Sequence, residues 1–344
     1  MYSLKITIRR LFKDKAFSLI NTFGLVIGIS SFLVLFIHVS NEKSFDEHFT
    51  DHENIYRVTS VPGGLDNAAW ARSIGIVHTA VKEIPEVEQA TQFSHCNGGT
   101  IRIGETSFSQ DNIMSVDKAF MQLFEVEPVV GNLSEISSPN TVFVTEDFAR
   151  KYYGNLNPVG QIIKIEALQY TRDLGDYEIR GVVKNTHPKT HFRYELLISQ
   201  KGGLQERFAS LPSRKIQWTY NYFKLKNDAD PKLVAAKVKA FYDGSSLKTT
   251  PGPQEYDFAL FPMDDIHLKS DYRFELHESS SKINIGLFTL VSFVILMISL
   301  LNFTNLSVAR LIKRSKELGL KRSIGAGKRQ ILWQVLTEVF IVGL

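Results

Sequence analysis

Residues 16–41 read AFSLINTFGLVIGISSFLVLFIHVSN, 26 positions without a charge, and residues 283–309 read INIGLFTLVSFVILMISLLNFTNLSVA, another 27. A bilayer core of about 30 Å is crossed by roughly 20 helical residues, so each stretch is long enough to span with tilt. Lys5, Arg9, Arg10, Lys13 and Lys15 against Asp14 put +4 ahead of the first stretch. Arg310, Lys313, Arg314, Lys316, Lys321, Arg322, Lys328 and Arg329 against Glu317 put +7 behind the second. The chain total is +4 and Glu338 lies beyond that loop, which leaves −6 in the middle. Basic flanks stay in the cytoplasm. The predicted path therefore starts inside, crosses out, builds a large external domain and crosses back.

Bulk composition conceals this plan. A hydrophobic fraction of 44% resembles that of a soluble protein, because the acidic middle dilutes the spans. A pI near 8.9 suggests nucleic acid only until the basic residues are located at membrane edges, where they read as topology signals and lipid contacts. No nucleic-acid partner is expected. Cys96 is the single cysteine, so no intramolecular disulfide can form, and it reads as a core residue or inert thiol.

The first run is much longer than the apolar region of a signal peptide, and Asn41-Glu-Lys-Ser-Phe45 is a poor cleavage context. It reads as an uncleaved anchor. Gly24 and Gly28 form a small-xxx-small face for helix packing, with Ser31 close to the same side. Ahead of it, Leu4, Ile8, Leu11 and Phe12 share one face and Lys5, Arg9 and Lys13 another, the pattern of a helix lying on the membrane surface.

The predicted organisation is a cytoplasmic amphipathic helix at 1–15, spans at 16–41 and 283–309, an α+β domain over 42–282, a cytoplasmic segment at 310–330 and the start of a third span at 331–344. Strand-like content marks 55–58, 101–103 with Phe108, 141–145, 161–165, 177–183, 220–225 and 256–261, with Gly104-Glu105 as a hairpin turn. Helices are expected at 70–84, stopped by Pro85, and at 118–124, 146–153 and 231–242. The last has Asp230 as N-cap, Pro231 in its first turn and Gly244 beyond its end.

Chemistry-bearing motifs are sparse. His187-Pro-Lys-Thr-His191 has ligand-like spacing but contains Pro188 and lacks an obvious third ligand. Asp264-Asp265 with His267 reads as a solvated turn. No G-x-S-x-G, H-E-x-x-H or dinucleotide fingerprint occurs. The stretch around Gly325-Ala-Gly-Lys328 fails as a phosphate loop, since Arg322 replaces its first glycine and Arg329 its magnesium-binding hydroxyl. No catalytic, cofactor-binding or metal-binding residue is assigned.

Behind the second span, a short helix from about Lys316 to Ile324, a break at Gly325-Ala-Gly327 and a new apolar-periodic segment from Arg329 form a basic element. Here the chain resembles the permeases of the MacB/FtsX superfamily of ABC transporters, whose cytoplasmic signature Glu317, Gly319, Gly325 and Ala326 match. Phe45-Asp46-Glu-His-Phe49 with Ile55-Tyr-Arg-Val58, then Pro85 to Glu88, Val116 to Phe124, Val142 to Gly160, Gly181 to Val183 and Pro188 to His191, are similar in order to the periplasmic core of MacB-like permeases. Where that family often has Asn-Ser-His, this chain has Thr190-His191.

The resemblance implies a non-catalytic permease subunit of type VII in the bacterial inner membrane. It would pair as a homo- or heterodimer with separate ATPase subunits, possess no cofactor of its own and act by mechanotransmission, with a periplasmic adaptor as a further partner in efflux members. Lys316, Glu317, Gly319, Lys321, Arg322, Gly325 and Ala326 would couple it to the ATPase. Glu317 has two readings, a specific contact with that partner or a solvated pair with Lys321 or Lys313. The family continues through further spans, so the chain reads as a fragment or truncated frame. The rival class is a two-span sensor with an external ligand domain, against which Gly319, Gly325 and Gly327 interrupt any heptad of a signalling coiled coil.

Overall fold

The first uncharged run becomes α1 (Lys15–Lys43), followed by β1 (Ile55–Pro62), β2 (Ser73–Ile74), the single turn α2 (Val77–Ala80) and β3 (Val87–Cys96). The hairpin β4 (Gly99–Ile103) and β5 (Thr106–Gln110) leads to β6 (Ile113–Val116), α3 (Lys118–Leu123) and β7 (Pro128–Gly131). Next come β8 (Thr141–Thr145), α4 (Glu146–Tyr153), β9 (Ile162–Leu168), β10 (Thr171–Val183) and β11 (Leu196–Ser199). Then follow β12 (Trp218–Leu225), α5 (Pro231–Asp243), β13 (Tyr256–Pro262), α6 (Met263–Lys269), the long α7 (Lys282–Lys313) and α8 (Ser315–Ser323). This computed structural model describes residues 15–63, 69–96, 98–168, 171–201, 218–245, 255–277, 282–313, 315–329 and 331–333. The surface helix expected at 1–15 and most of the third span expected at 331–344 lie outside the described residues. Two compact units result: Ser44–Ser280, and Met1–Lys43 with Ser281–Leu344.

In the globular unit the described strands form one mixed sheet, ordered β13-β1-β12-β3-β6-β11-β8-β10-β9-β4-β5, with β2 beside β12 and β7 beside β10. Pairings are antiparallel except β6–β11 and β8–β10. Strand alternation divides the side chains between two faces. Phe93, Met114, Phe143, Leu197, Tyr220 and Tyr222 point to one face, where Phe120, Phe124 and Phe192 cover them. The opposite face carries two cores. Val58, Phe223 and Tyr256 pack with Val234, Val238 and Tyr242 of α5, while Val142, Val144, Ile163 and Ile179 pack with Phe148 of α4. Each fully buried large side chain contributes roughly 1.5–3 kcal/mol, so both faces of the sheet stabilise this unit.

The local signals hold at several helix ends. Asp230 accepts a 2.9 Å bond from the Lys232 amide ahead of α5, and Asp117 accepts one of 2.7 Å from Phe120 ahead of α3. Such caps are worth about 1 kcal/mol each. Gly181 is required by close approach, because a Cβ there would lie 2.5 Å from Phe143 Cε1 and from the Val130 carbonyl. That fit lets β7 and β8 both pair with the end of β10.

Two local expectations are corrected. Residues 70–84 do not make one helix: Trp70 bridges Ser60, Ser73–Ile74 pair with β12, and only Val77–Ala80 is α-helical before a 3-10 turn. Sheet pairing outweighs the helical preference of the alanines. Asp264 and Asp265 are not in a loop but in the first turn of α6, where carboxylates favour the helix dipole.

In the helical unit, α1 has 29 residues and α7 has 32, about 44 and 48 Å at 1.5 Å per residue. Both overrun the predicted spans. Ile20, Phe23, Ile27, Val34, Ile283, Leu290, Phe293 and Ile298 are exposed, an apolar exterior suited to lipid. The helices pack antiparallel: Phe32 meets Phe293 edge-on with centroids 5.6 Å apart, and His38 meets Phe288 at 5.6 Å. Hydroxyls of Thr289, Ser292 and Thr304 donate to carbonyls of their own helix, which satisfies them without water.

Candidate functional site

The two glycines singled out in the first span lie where α1 and α7 approach most tightly. A Cβ on Gly28 would sit 1.7 Å from Ser299 Oγ and 2.4 Å from Ser299 Cβ, and one on Gly24 would sit 3.4 Å from Asn302 Nδ2. Gly28 therefore admits no larger side chain without moving a helix. The small-residue face is used within the chain.

Lys316, Glu317, Gly319, Lys321 and Arg322 all fall on α8, which starts two residues after α7 ends. The side chains of Glu317 and Lys321 lie outside the described residues. Lys316, Gly319 and Arg322 are exposed, as are the large apolar Leu320 and Ile324. Gly325 has φ +100°, a left-handed conformation that glycine adopts without strain, and its amide bonds the Arg322 carbonyl at 3.1 Å. Ala326 and Gly327 form the break, and helix resumes at Lys328. The result is a short basic helix with an uncovered apolar edge.

The residues flagged for metal or acid–base chemistry do not converge. His187 packs against His48 with the rings tilted by 30° and centroids 4.1 Å apart, whereas His191 is buried between Asp46 and Tyr222. Asp264 meets His52 at 2.8 Å, Asp265 pairs with Lys269, and His267 lies flat on Phe45 at 3.5 Å. Among the described residues no group of three or more His, Cys, Asp or Glu is placed to hold a metal ion. Burial pushes the Cys96 thiol up to about 12, so it is protonated and unreactive at neutral pH.

A buried polar chain was missed by sequence reasoning. Asp46 Oδ2 lies 2.9 Å from His191 Nδ1, off the line of a straight hydrogen bond, and Asp46 Oδ1 accepts from the His191 amide at 3.2 Å. His191 Nε2 meets the Tyr222 hydroxyl at 2.7 Å, and Tyr222 pairs directly with Arg57 across β12 and β1. Arg57, fully buried, holds Glu275 through two bonds of 2.7 and 2.6 Å and reaches Ser270 Oγ at 3.1 Å. Burial alone would lower the Arg57 pKa, but Tyr222 and Glu275 outweigh it and keep the guanidinium charged. Burial raises the Tyr222 phenol. Removing one partner of such a buried pair costs about 3–5 kcal/mol. The H-x3-H spacing and the Phe45-Asp46 and Ile55-Tyr-Arg-Val58 motifs held parts of this site without pointing to one another. Its bonded partners lie up to 218 positions apart.

Two long apolar helices packed antiparallel, with a large mixed-sheet unit between them in the sequence and a basic helix after the second, are the architecture of a membrane protein with a large domain outside the bilayer. The chain belongs to the MacB/FtsX-type ABC transporter permeases: the MacB-like periplasmic core domain family matches residues 18–241, and the FtsX-like permease C-terminal family matches residues 289–344. It is similar to the "Macrolide export ATP-binding/permease protein MacB" of Bdellovibrio bacteriovorus, 22% identical over 355 residues, covering 96% of this chain and 50% of the relative. The protein of the same name from Aggregatibacter actinomycetemcomitans is 20% identical over 352 residues, covering 100% and 51%. The chain thus spans about half the length of these curated relatives. The crystal structure of the periplasmic region of MacB from Actinobacillus actinomycetemcomitans superposes with TM-score 0.42 at 14% identity, covering 62% of this chain and 90% of that one.

Proposed function

We propose that this chain is the motion-transmitting permease of an ABC transporter, driven by ATP hydrolysis on a separate subunit. The observation that carries the reading is that α8 begins two residues after the 32-residue α7 ends, so a basic, partly apolar helix follows the second span directly in the chain. Pushing on α8 moves α7 as a rod, and α7 leads back to the globular unit. Exposed Leu320 and Ile324 beside Lys316 and Arg322 supply an apolar anchor with a charged rim, the composition of a docking contact. The runs 16–41 and 283–309 contain no Asp, Glu, Lys or Arg, which favours work done outside the bilayer over conduction through it. The N-terminus and α8 are cytoplasmic, the globular unit is periplasmic, and two permease chains act with two ATPases in the inner membrane. An adaptor would join in efflux; lipoprotein extraction and control of envelope enzymes use the same mechanics.

The test is co-purification with the ATP-binding subunit, together with ATP hydrolysis and transporter function, for Glu317→Lys and Gly325→Pro. Proline cannot adopt the φ of +100° found at Gly325, so that variant redirects the turn after α8. Both variants are expected to insert normally yet separate ATP hydrolysis from function. Wild-type association and full activity in both would overturn the assignment.

A further inference from the structure

The chain enters the globular unit through residues 44–54 and leaves it through α6 and residues 270–277, and these two segments are fastened to each other at three levels. Phe45 lies on His267 with an interplanar angle of 5°. His52 meets Asp264 at 2.8 Å. Beneath these contacts, Asp46 meets His191, His191 bonds the Tyr222 hydroxyl, Tyr222 faces Arg57 as its register partner across β12 and β1, and Arg57 holds Glu275. Around Asp46, the Asp46 amide also donates to the Lys189 carbonyl at 2.9 Å, and Lys189 Nζ reaches Ser44 Oγ at 2.8 Å. At the other end Ser270 Oγ is shared by Arg57 and Glu275.

Resting on the transmission reading above, we propose that this assembly is a clasp: it locks the incoming and outgoing segments together, so a pull on either is delivered to both and to the sheet. Three features support this. Asp46, Arg57, His191 and Tyr222 are almost fully buried, so water does not compete for the links. The chain runs through Arg57 of β1 and Tyr222 of β12, paired strands near one end of the sheet order. It ends on the buried Asp46 side chain and on the Arg57–Glu275 ion pair, and breaking that pair leaves an unpaired buried charge, which opposes stepwise peeling. A domain inserted between two moving helices without such a tie would open at its ends before its sheet moved.

Hydrogen exchange on the full-length chain in lipid nanodiscs tests this. Glu275→Gln should speed exchange roughly ten-fold or more at residues 45–50 and 189–192. Asp46→Asn should do the same at residues 270–276. Residues 162–183 should keep wild-type protection in both. Tyr222→Phe, which keeps the ring and removes only the central hydroxyl, should loosen both segments, and it serves if a charged variant fails to fold. Changes confined to the neighbourhood of each substitution, or wild-type exchange at both segments in Tyr222→Phe, would overturn the clasp. The measurement needs no ATPase, so failure here leaves the permease reading standing. Wild-type association and full activity in both Glu317→Lys and Gly325→Pro would instead refute that reading and leave the clasp intact.

Discussion

Replacing Gly28 by alanine should drive α1 and α7 apart. The added Cβ would lie 1.7 Å from Ser299 Oγ and 2.4 Å from Ser299 Cβ. The hydroxyl can rotate away, but the Cβ is fixed by the backbone. Carbon–carbon contact is most favourable at about 3.5–4.0 Å, so the helices must separate by about 1 Å or more at this point. A gap of that size forfeits roughly a quarter to a half of the dispersion energy of each contact it opens, and overpacking of this kind costs about 1–3 kcal/mol. The neighbouring Phe32–Phe293 contact would loosen with it. The assay is reversible unfolding of the detergent-solubilised chain for Gly28→Ala, Ser299→Gly and the double variant. Gly28→Ala should lose about 2 kcal/mol, and Ser299→Gly, which removes the clashing atoms, should restore most of it in the double variant. Equal stability of Gly28→Ala and wild type, or strict additivity in the cycle, would refute the packing argument.

Two further outcomes follow from the same geometry. Burial holds His95 below its ordinary pKa despite opposing contributions from Asn112 and Asp111, and His78 below its own despite Asp117. The unfolded chain then binds protons first on acidification, so stability is intact above the ordinary histidine range near pH 6.5 and declines as pH falls toward the lowered native values; the melting temperature should drop between pH 7 and 5, less steeply in His95→Gln, and a rise would contradict the burial argument. For topology, single cysteines at exposed Glu105 and Ser315 in a Cys96→Ser background should react with an impermeant thiol reagent in spheroplasts at position 105 only; labelling at 315 alone would invert the orientation.

The spans were legible because an uncharged apolar run of that length suits a bilayer core and few environments besides it, and the β4–β5 hairpin because Gly104-Glu105 separates two apolar-alternating runs. The strand β3 was not. Its central residues Thr91, Gln92 and Ser94 are polar; buried Thr91 is tolerated because its hydroxyl donates to Asp117 and it pairs with Tyr222 of β12, while Gln92 and Ser94 are only half-buried. Those partners are visible only in three dimensions. The same holds for the helix expected at 70–84, where Ser73 and Ile74 pair with Thr219 and Trp218 of β12, residues from the far end of the domain. In the candidate sites, the short helix α8 and the break at Gly325-Ala-Gly327 were readable from glycines and charges, which act locally. The clasp was not, because Arg57, Tyr222 and Glu275 each look like ordinary strand or loop residues until the sheet aligns them.

The most direct test of transmission is hydrogen exchange on the permease reconstituted with its ATP-binding subunit, compared without nucleotide and with the ATPase trapped by ATP and vanadate. Trapping should change exchange at residues 44–54 and 270–277, at the two ends of the globular unit, and Gly325→Pro should abolish that change while ATP is still hydrolysed. Identical exchange in both states of the wild-type complex would contradict the account.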